Sequence, residues 1–167
     1  MPQYRLQALL DIRTKAEEDA KDAFSEAIKA HEAEKKKLVA LQQDLDRRRV
    51  ERKAKVQAFL EDATRKGGGI AAFQQMGRFE QRLKDEEAQV ALDIERQKEA
   101  VTQAEKLVEQ RRQEMAEAAM EKKAIEKHKD TWKKEVRREL QQKEEMNQEE
   151  IGNTLHLARV RAAEKKS

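Results

Sequence analysis

The chain has 167 residues, of which 43% are charged and 4% aromatic, and its 37 basic and 34 acidic side chains give a net charge of +3. So few large apolar side chains exclude an ordinary globule and leave either a disordered chain or long helices. The absence of cysteine excludes disulfides and thiolate metal sites. No window is apolar over the roughly 18 residues that a membrane span requires, and we expect a cytoplasmic protein.

The first predicted element is a helix over about residues 4–65. Pro2 is the single proline, and it lies where a helix can begin because the first helical turn does not need its N–H. No glycine follows until Gly67, Gly68 and Gly69. One glycine costs a helix roughly 1 kcal/mol relative to alanine, so three together cost about 3 kcal/mol. We therefore expect a turn at about residues 66–70.

The second predicted helix covers about residues 71–163 and carries a heptad seam. Mostly apolar residues recur at every seventh position from Met76 to Trp132, and a second series of the same period runs beside the first. The first helix keeps three-four spacing, with four-residue skips at Glu34 and Arg52. A disordered chain has no reason to keep a seam in register, so the pattern favours paired helices.

Two seams joined by a tight turn predict an all-α fold: a long antiparallel two-helix coiled coil, or αα-hairpin, forming a single domain over residues 1–167. Folding about Gly68 pairs residues whose numbers sum to about 136, so Tyr4 meets Trp132. At a rise of about 1.5 Å per residue, the paired part is near 90 Å long. From Lys133 onward the chain has no internal partner. We therefore expect an overhanging C-terminal helical segment whose apolar residues bind another molecule.

The sequence contains no pattern that indicates catalysis. The three glycines lack the spacing and the Lys-Ser/Thr of a phosphate-binding loop. His31, His128 and His156 are too far apart to form a zinc motif. Carboxylates on solvated helix faces lack the burial that tunes catalytic groups. We expect no enzymatic activity, no catalytic residue, no metal and no cofactor.

Three surface features leave alternatives open. The basic clusters 35–37 and 47–49 are either a solvated face, an attraction for an acidic protein surface, or a site for nucleic acid. Tyr4 and Trp132 either close the open end of the hairpin or contact a partner. The aromatic stretch 73–79 is either a binding patch at the hairpin tip or a local cap over the turn.

The order and spacing of three segments resemble the FliJ family of flagellar type III export stalks, whose injectisome counterpart is the YscO/SctO stalk. These segments are the opening YRLQALLDIRTKAEEDAKDAFSEA, the turn GGGIAAFQQM and the late IEKHKDTWKKEVRRELQQKEEMNQEE. The resemblance implies an antiparallel two-helix coiled coil similar to the gamma shaft of the rotary F-type ATPase. It also implies a central stalk that links the hexameric export ATPase to the export gate and assists ATPase assembly and chaperone handling, with a flagellar system expected.

The resemblance places an ATPase-binding surface at the end that carries both termini and a gate-binding surface at the hairpin tip. The ATPase-binding set is Tyr4, Arg5, Leu6, Leu9, Leu10, Arg13, Trp132, Val136 and Leu140. The gate-binding set is Leu41, Leu45, Phe73, Gln74, Gln75, Met76, Phe79 and Leu83. Residues 47–49 are arginines where the family often has aromatics.

The implied partners are the export ATPase hexamer, the cytoplasmic domain of an FlhA- or SctV-like gate, and export chaperones. We expect no nucleic acid, no membrane insertion, a monomer in isolation, and a place beside the inner-membrane export apparatus. The alternatives are a generic coiled-coil scaffold or homodimer and, with less support, a basic nucleic-acid-binding coiled coil.

Overall fold

Two long helices make up the computed structural model, which describes residues 2–166. Helix α1 is Gln7–Arg65 and helix α2 is Ile70–Glu164. No strand occurs anywhere in residues 2–166. The predicted all-α hairpin is therefore confirmed. Helix α1 begins three residues later than predicted, because the N–H of Gln7 bonds the carbonyl of Tyr4 in a tighter turn, at 3.2 Å.

The glycine turn closes α1 with a Schellman motif. Gly67 has a φ of 67°, the left-handed conformation that glycine adopts without strain. The N–H of Gly68 donates to the carbonyl of Ala63 at 2.7 Å, and the N–H of Gly67 donates to that of Thr64 at 3.3 Å. These two bonds satisfy carbonyls that the end of the helix would otherwise leave unpaired. The chain is thereby reversed over four residues.

The contacts divide the chain into two compact units, and each contains a part of both helices. One unit takes in the residues up to Asp19 and those from Ala116 onward, and the other is Ala20–Met115. We call them the terminal unit and the tip unit. The core of the tip unit is a cluster of buried and partly buried residues from both helices: Leu38, Leu41, Leu45, Val90, Ala91 and Ile94. The terminal unit buries Tyr4, Leu10 and Val136.

The predicted seam of α2 coincides with the buried face of that helix. The residues of the first series, which recur at every seventh position, are all buried or half-buried: Met76, Leu83, Val90, Gln97, Ala104, Arg111, Ala118, Ile125 and Trp132. Pairing also follows the predicted register within each unit. In the terminal unit the rings of Tyr4 and Trp132 lie 5.1 Å apart, and in the tip unit those of Phe59 and Phe79 lie 6.4 Å apart.

The two skip positions of α1 face α2 and make polar contacts with it. Gln97 donates from its side-chain amide to the backbone carbonyl of Glu34 at 3.0 Å and also to its carboxylate. The guanidinium of Arg52 donates to Glu87 at 2.7 Å and lies 3.6 Å from Glu80. Where the three-four spacing is interrupted, a hydrogen bond or ion pair therefore takes the place of apolar packing.

The C-terminal part of α2 extends past the residues that α1 covers. Val136 is buried, whereas every described residue from 137 to 166 is exposed, although α2 remains helical to Glu164. The exposed apolar side chains of this segment are Leu140, Met146, Ile151, Leu155, Leu157 and Val160. We call this segment the tail, and it matches the predicted overhang.

Two glycines of the tip unit should respond in opposite ways to alanine. Gly67→Ala forces a side chain into the left-handed region and should lower the free energy of unfolding by about 1 kcal/mol. Gly77→Ala lies inside α2, where an added Cβ has nothing within 4 Å, and should raise it by about 1 kcal/mol through helix propensity. Thermal unfolding of both variants measures the difference, and a stability gain in Gly67→Ala would contradict the turn geometry.

Candidate functional site

The terminal unit is closed by an aromatic cluster at the start of α1. Tyr4 is only 6% exposed, and its ring lies 5.1 Å from that of Trp132 and 5.8 Å from that of His128. Its hydroxyl is 2.6 Å from Nδ1 of His128. Lys129 places its ammonium 5.8 Å from the Tyr4 ring and donates to Gln7 at 2.6 Å. The cluster thus fixes the chain before α1 against α2.

Ion pairs continue this attachment along the terminal unit. Lys122 donates to Glu17 at 2.8 Å, and both side chains are largely covered. The hydrogen bond that Lys122 donates to Glu17 raises the pKa of Lys122, while desolvation opposes the increase. Arg13 pairs with Glu121 one turn away. These contacts join residues more than a hundred positions apart and so hold the two helices in one register.

The predicted ATPase-binding residues are not equally accessible. Tyr4, Leu10 and Val136 are buried, while Leu9, Arg13 and Trp132 are half-buried; Arg5, Leu6 and Leu140 are exposed. Tyr4 and Trp132 therefore do close the terminal unit, and only the exposed members are free to contact another molecule directly. The set also leaves out most of the apolar tail, although the sequence showed that stripe.

The tail presents an apolar surface that nothing in the described chain covers. Ile151 and Leu155 lie one turn apart and form a shallow depression with Asn147 and Thr154. Ile151 is 60% exposed. A single helix cannot bury its own apolar face, so this surface becomes dry only against another molecule.

The hairpin tip carries a second exposed apolar surface. Ile70 is 79% exposed and Phe73 is 54% exposed, directly after the glycine turn. Met76 is half-buried, and Phe79 is half-buried against Phe59. Arg82 lies over the Phe79 ring at 5.4 Å. The aromatic stretch is therefore partly a cap over the first turns of the hairpin and partly a free surface.

The structure divides the predicted gate-binding set. Phe73, Gln74 and Gln75 are exposed at the tip, whereas Leu45 is 8% exposed and lies in the core of the tip unit. Leu41 packs against that core, and Leu83 is half-buried. Leu45 thus supports the fold in this conformation and has no surface to offer to a partner.

Positive charge is concentrated around the tip. Residues 47–84 carry 11 basic and four acidic side chains, a local net charge of +7 against +3 for the whole chain. Arg48 and Arg47 both bond Asp44, and these two bonds, with Arg48 first, hold the pKa of the Asp44 carboxyl below its usual value. Arg48 also approaches Glu86 at 3.5 Å, and Arg49 approaches Asp46 at 3.9 Å. Arginines 47–49 are thus engaged within the chain.

One carboxylate at the helix interface is tuned by its neighbours. Hydrogen bonds from Lys37 and then from Gln97 lower the pKa of Glu34 from its ordinary value of 4.5. Because the folded-state pKa lies below the unfolded one, this group contributes stability above about pH 4.5. The contribution is lost as pH falls through the lowered pKa.

Within residues 2–166, no group of three or more His, Cys, Asp or Glu side chains is arranged to hold a metal ion. Within the same part of the chain, no helix is both long and apolar enough to cross a bilayer.

Comparisons with known proteins identify the fold and the family. A model of the YscO-like protein family matches residues 1–162. The solved structure of a YscO homologue from Chlamydia trachomatis superposes with a TM-score of 0.76 and 25% sequence identity, over 93% of this chain and 96% of that one. No curated protein sequence matches the chain. These matches confirm the resemblance that the three sequence segments carry.

Trp132 is the only tryptophan of the chain, so its fluorescence reports the aromatic cluster. Tyr4→Ala removes a buried ring from beside the indole and should shift the emission maximum to longer wavelength, with a loss of about 2 kcal/mol in stability. Tyr4→Phe keeps the ring and loses only the bond to His128, so the maximum should stay in place at a cost of about 1 kcal/mol. Unchanged emission in Tyr4→Ala would contradict the packing.

The pKa of Glu34 can be followed by NMR titration of its carboxyl carbon. Lys37→Met should raise this pKa toward the ordinary value, and Gln97→Leu should raise it less, because the Lys37 bond is the larger cause. Lys36→Met is the matched control, since this exposed lysine makes no bond to Glu34. A midpoint for Glu34 that neither Lys37→Met nor Gln97→Leu changes would show that the two bonds are absent in solution.

Proposed function

The chain belongs to the YscO-like family, and we propose that it is the central stalk of a type III protein export apparatus, linking the hexameric export ATPase to the export gate. Membership of the family is the observation that carries the proposal, and it makes the chain a component of a type III secretion apparatus. The geometry supports the finer role because a linking protein needs two separate contact surfaces. The tail and the tip provide them in two different units.

The tip is the surface that we assign to the cytoplasmic domain of the gate. Exposed Phe73 supplies an aromatic anchor of the kind that dominates binding energy at interfaces. Gln74 and Gln75, exposed beside it, supply amide donors and acceptors. Met76 adds a half-buried thioether that adapts to an irregular partner surface.

We assign the exposed residues of the terminal unit to binding of the ATPase. Leu140, Ile151 and Leu155 are exposed along a helix that has no partner within the described chain. Arg5 and Leu6 add a polar and an apolar contact where α1 begins. Docking of the tail against the ATPase removes this apolar area from water, which is the favourable term in most protein association.

The stalk acts by contact and has no chemistry of its own. Each surface binds without a cofactor, and the protein is a monomer in isolation that works in the cytoplasm beside the inner-membrane apparatus. Contacts with the ATPase assist assembly of its ring, and export chaperones bind the same stalk. The opening segment from Tyr4 to Ala27 carries the FliJ-like motif, which favours a flagellar system, whereas the family match is to the YscO-like injectisome counterpart, so partner binding decides between the two systems.

The two assignments are separable by mutation. Phe73→Ala, Met76→Ala and Phe79→Ala together should weaken binding of the gate domain from the same genome by at least about tenfold and spare ATPase binding. Ile151→Ser with Leu155→Ser should do the reverse. Pull-downs and titrations with flagellar and injectisome partners, where the genome encodes both, also determine which system the stalk serves.

Phe59→Ala is the matched control for the tip. It breaks the ring stack with Phe79 from the α1 side without removing any predicted gate contact. Loss of gate binding in Phe59→Ala equal to that of the triple variant would point to local unfolding of the tip. Full gate binding by the triple variant would refute the tip assignment.

A further inference from the structure

An open groove runs along one side of the tip unit, and none of its residues belongs to the predicted gate-binding set. Val56 and Leu60 form its apolar floor, and Thr64 continues the same row. The groove has a volume of about 810 Å³ and is open to solvent along one side. It shares no residue with the tip surface around Phe73 and is a separate feature of the tip unit.

The dimensions of this groove match those of a helix. Its floor residues are four positions apart along α1, which is the spacing of the side-chain ridges on a helix surface. When two helices pack, the ridges of one fit between the ridges of the other. From Arg52 to Arg65 it extends 13 residues, about 20 Å at 1.5 Å per residue. Three to four turns of a helix cover that length. Val56 and Leu60 are only half-buried by the hairpin, so a third helix would complete their burial.

The rim of the groove presents a net positive charge to a ligand. Lys53 and Arg65 stand near the two ends of the groove, and neither has a carboxylate within ion-pair distance among residues 2–166. Of the rim carboxylates, Glu80 is paired with Lys84 at 3.0 Å, whereas Glu61 accepts a hydrogen bond only from the neutral Gln57 at 3.3 Å and keeps its charge. The two unpaired cations therefore outweigh this single carboxylate. The surroundings add to this charge, since residues 47–84 carry a net +7.

We infer that this groove binds an amphipathic helix of a partner protein, with apolar residues on the floor and acidic residues beside Lys53 and Arg65. The apolar stripe of the ligand packs on Val56 and Leu60 at i, i+4 spacing. Its flanking carboxylates pair with the two free cations, which sets its position along the groove and speeds association. The interaction is independent of the gate assignment, because it uses other residues.

The geometry favours a helix over other anionic ligands. A flat bilayer that meets the tip end touches Ile70 and Phe73 first, and Lys53 lies 15 residues before Gly68, about 22 Å along α1. A nucleic-acid backbone pairs with cations but gains nothing from an apolar floor. An acidic amphipathic helix uses both the floor and the rim.

The full-length chain is tested with a synthetic amphipathic helix about 18 residues long, with leucines at i, i+4 and i+8 and glutamates on both flanks. A peptide with lysines in place of the glutamates is the charge control. Vesicles of phosphatidylglycerol and of phosphatidylcholine are the membrane arms. We expect binding of the acidic peptide alone, with affinity that falls as salt rises from about 0.05 to 0.5 M.

Variants of the chain locate the binding. Lys53→Glu with Arg65→Glu should weaken binding of the acidic peptide by about tenfold and favour the basic peptide instead. Lys36→Glu with Lys106→Glu changes the net charge equally on exposed, unpaired lysines of the same unit and should have little effect. Leu60→Gln should weaken binding of the acidic peptide, with helix content by circular dichroism as the check on folding.

Several outcomes overturn the inference. These are no binding of the acidic peptide at low salt, equal binding of both peptides, equal losses in the two charge variants, and capture by anionic vesicles in place of the peptide. The stalk proposal fails by a different result, which is the absence of gate or ATPase binding by the wild-type chain. Lys53→Glu with Arg65→Glu should leave gate binding through Phe73 within about twofold.

Discussion

The structure depends on one constraint: within each unit, a helix has a single neighbouring helix against which to bury its side chains. Only one narrow stripe of each helix can be buried, which is why, among residues 2–166, seven hydrophobic side chains are buried and no large one is fully enclosed. Stability must then accumulate from many small contacts along the seam. Every position off that stripe faces water, which explains why so charged a sequence can fold at all.

A seam of this kind needs something to set its register. The small residues of α1, such as Ala16, Ala20 and Ala27, can slide past α2 at little cost, since their packing has few distinguishing features. Polar contacts between the two helices distinguish the correct register from shifted ones. Arg52 is mostly covered between Glu87 and Glu80, and a shift of one turn would separate it from at least one of these partners. Each such pair adds little net stability but penalises the wrong alignment.

Most of the fold could be predicted from the sequence, because the heptad period and the glycines that end a helix are local features of the chain. Three glycines located the turn, the heptads of α2 identified its buried face, and the register brought Tyr4 to Trp132. The sites were harder to predict. Leu45 came into the gate set through the resemblance, whereas burial is decided by the neighbours that α2 supplies, Val90 and Ile94. The groove from Arg52 to Arg65 could not be predicted, because its charge depends on which side chains pair with one another. No period in the sequence encodes that pairing.

The same constraint that limits the core also explains how such a protein could act. A two-helix structure leaves apolar flanks that a third helix can cover, and it exposes the first residues after its turn and any helix that outruns its partner. Leu60 lies on such a flank, Phe73 follows the turn, and Ile151 lies on the helix that extends past its partner. Covering them requires other molecules, so the surfaces that weaken the isolated chain are those that suit it for assembly. The three surfaces use different residues, so each can be bound or lost independently, because contacts that share no partner contribute additively to the free energy.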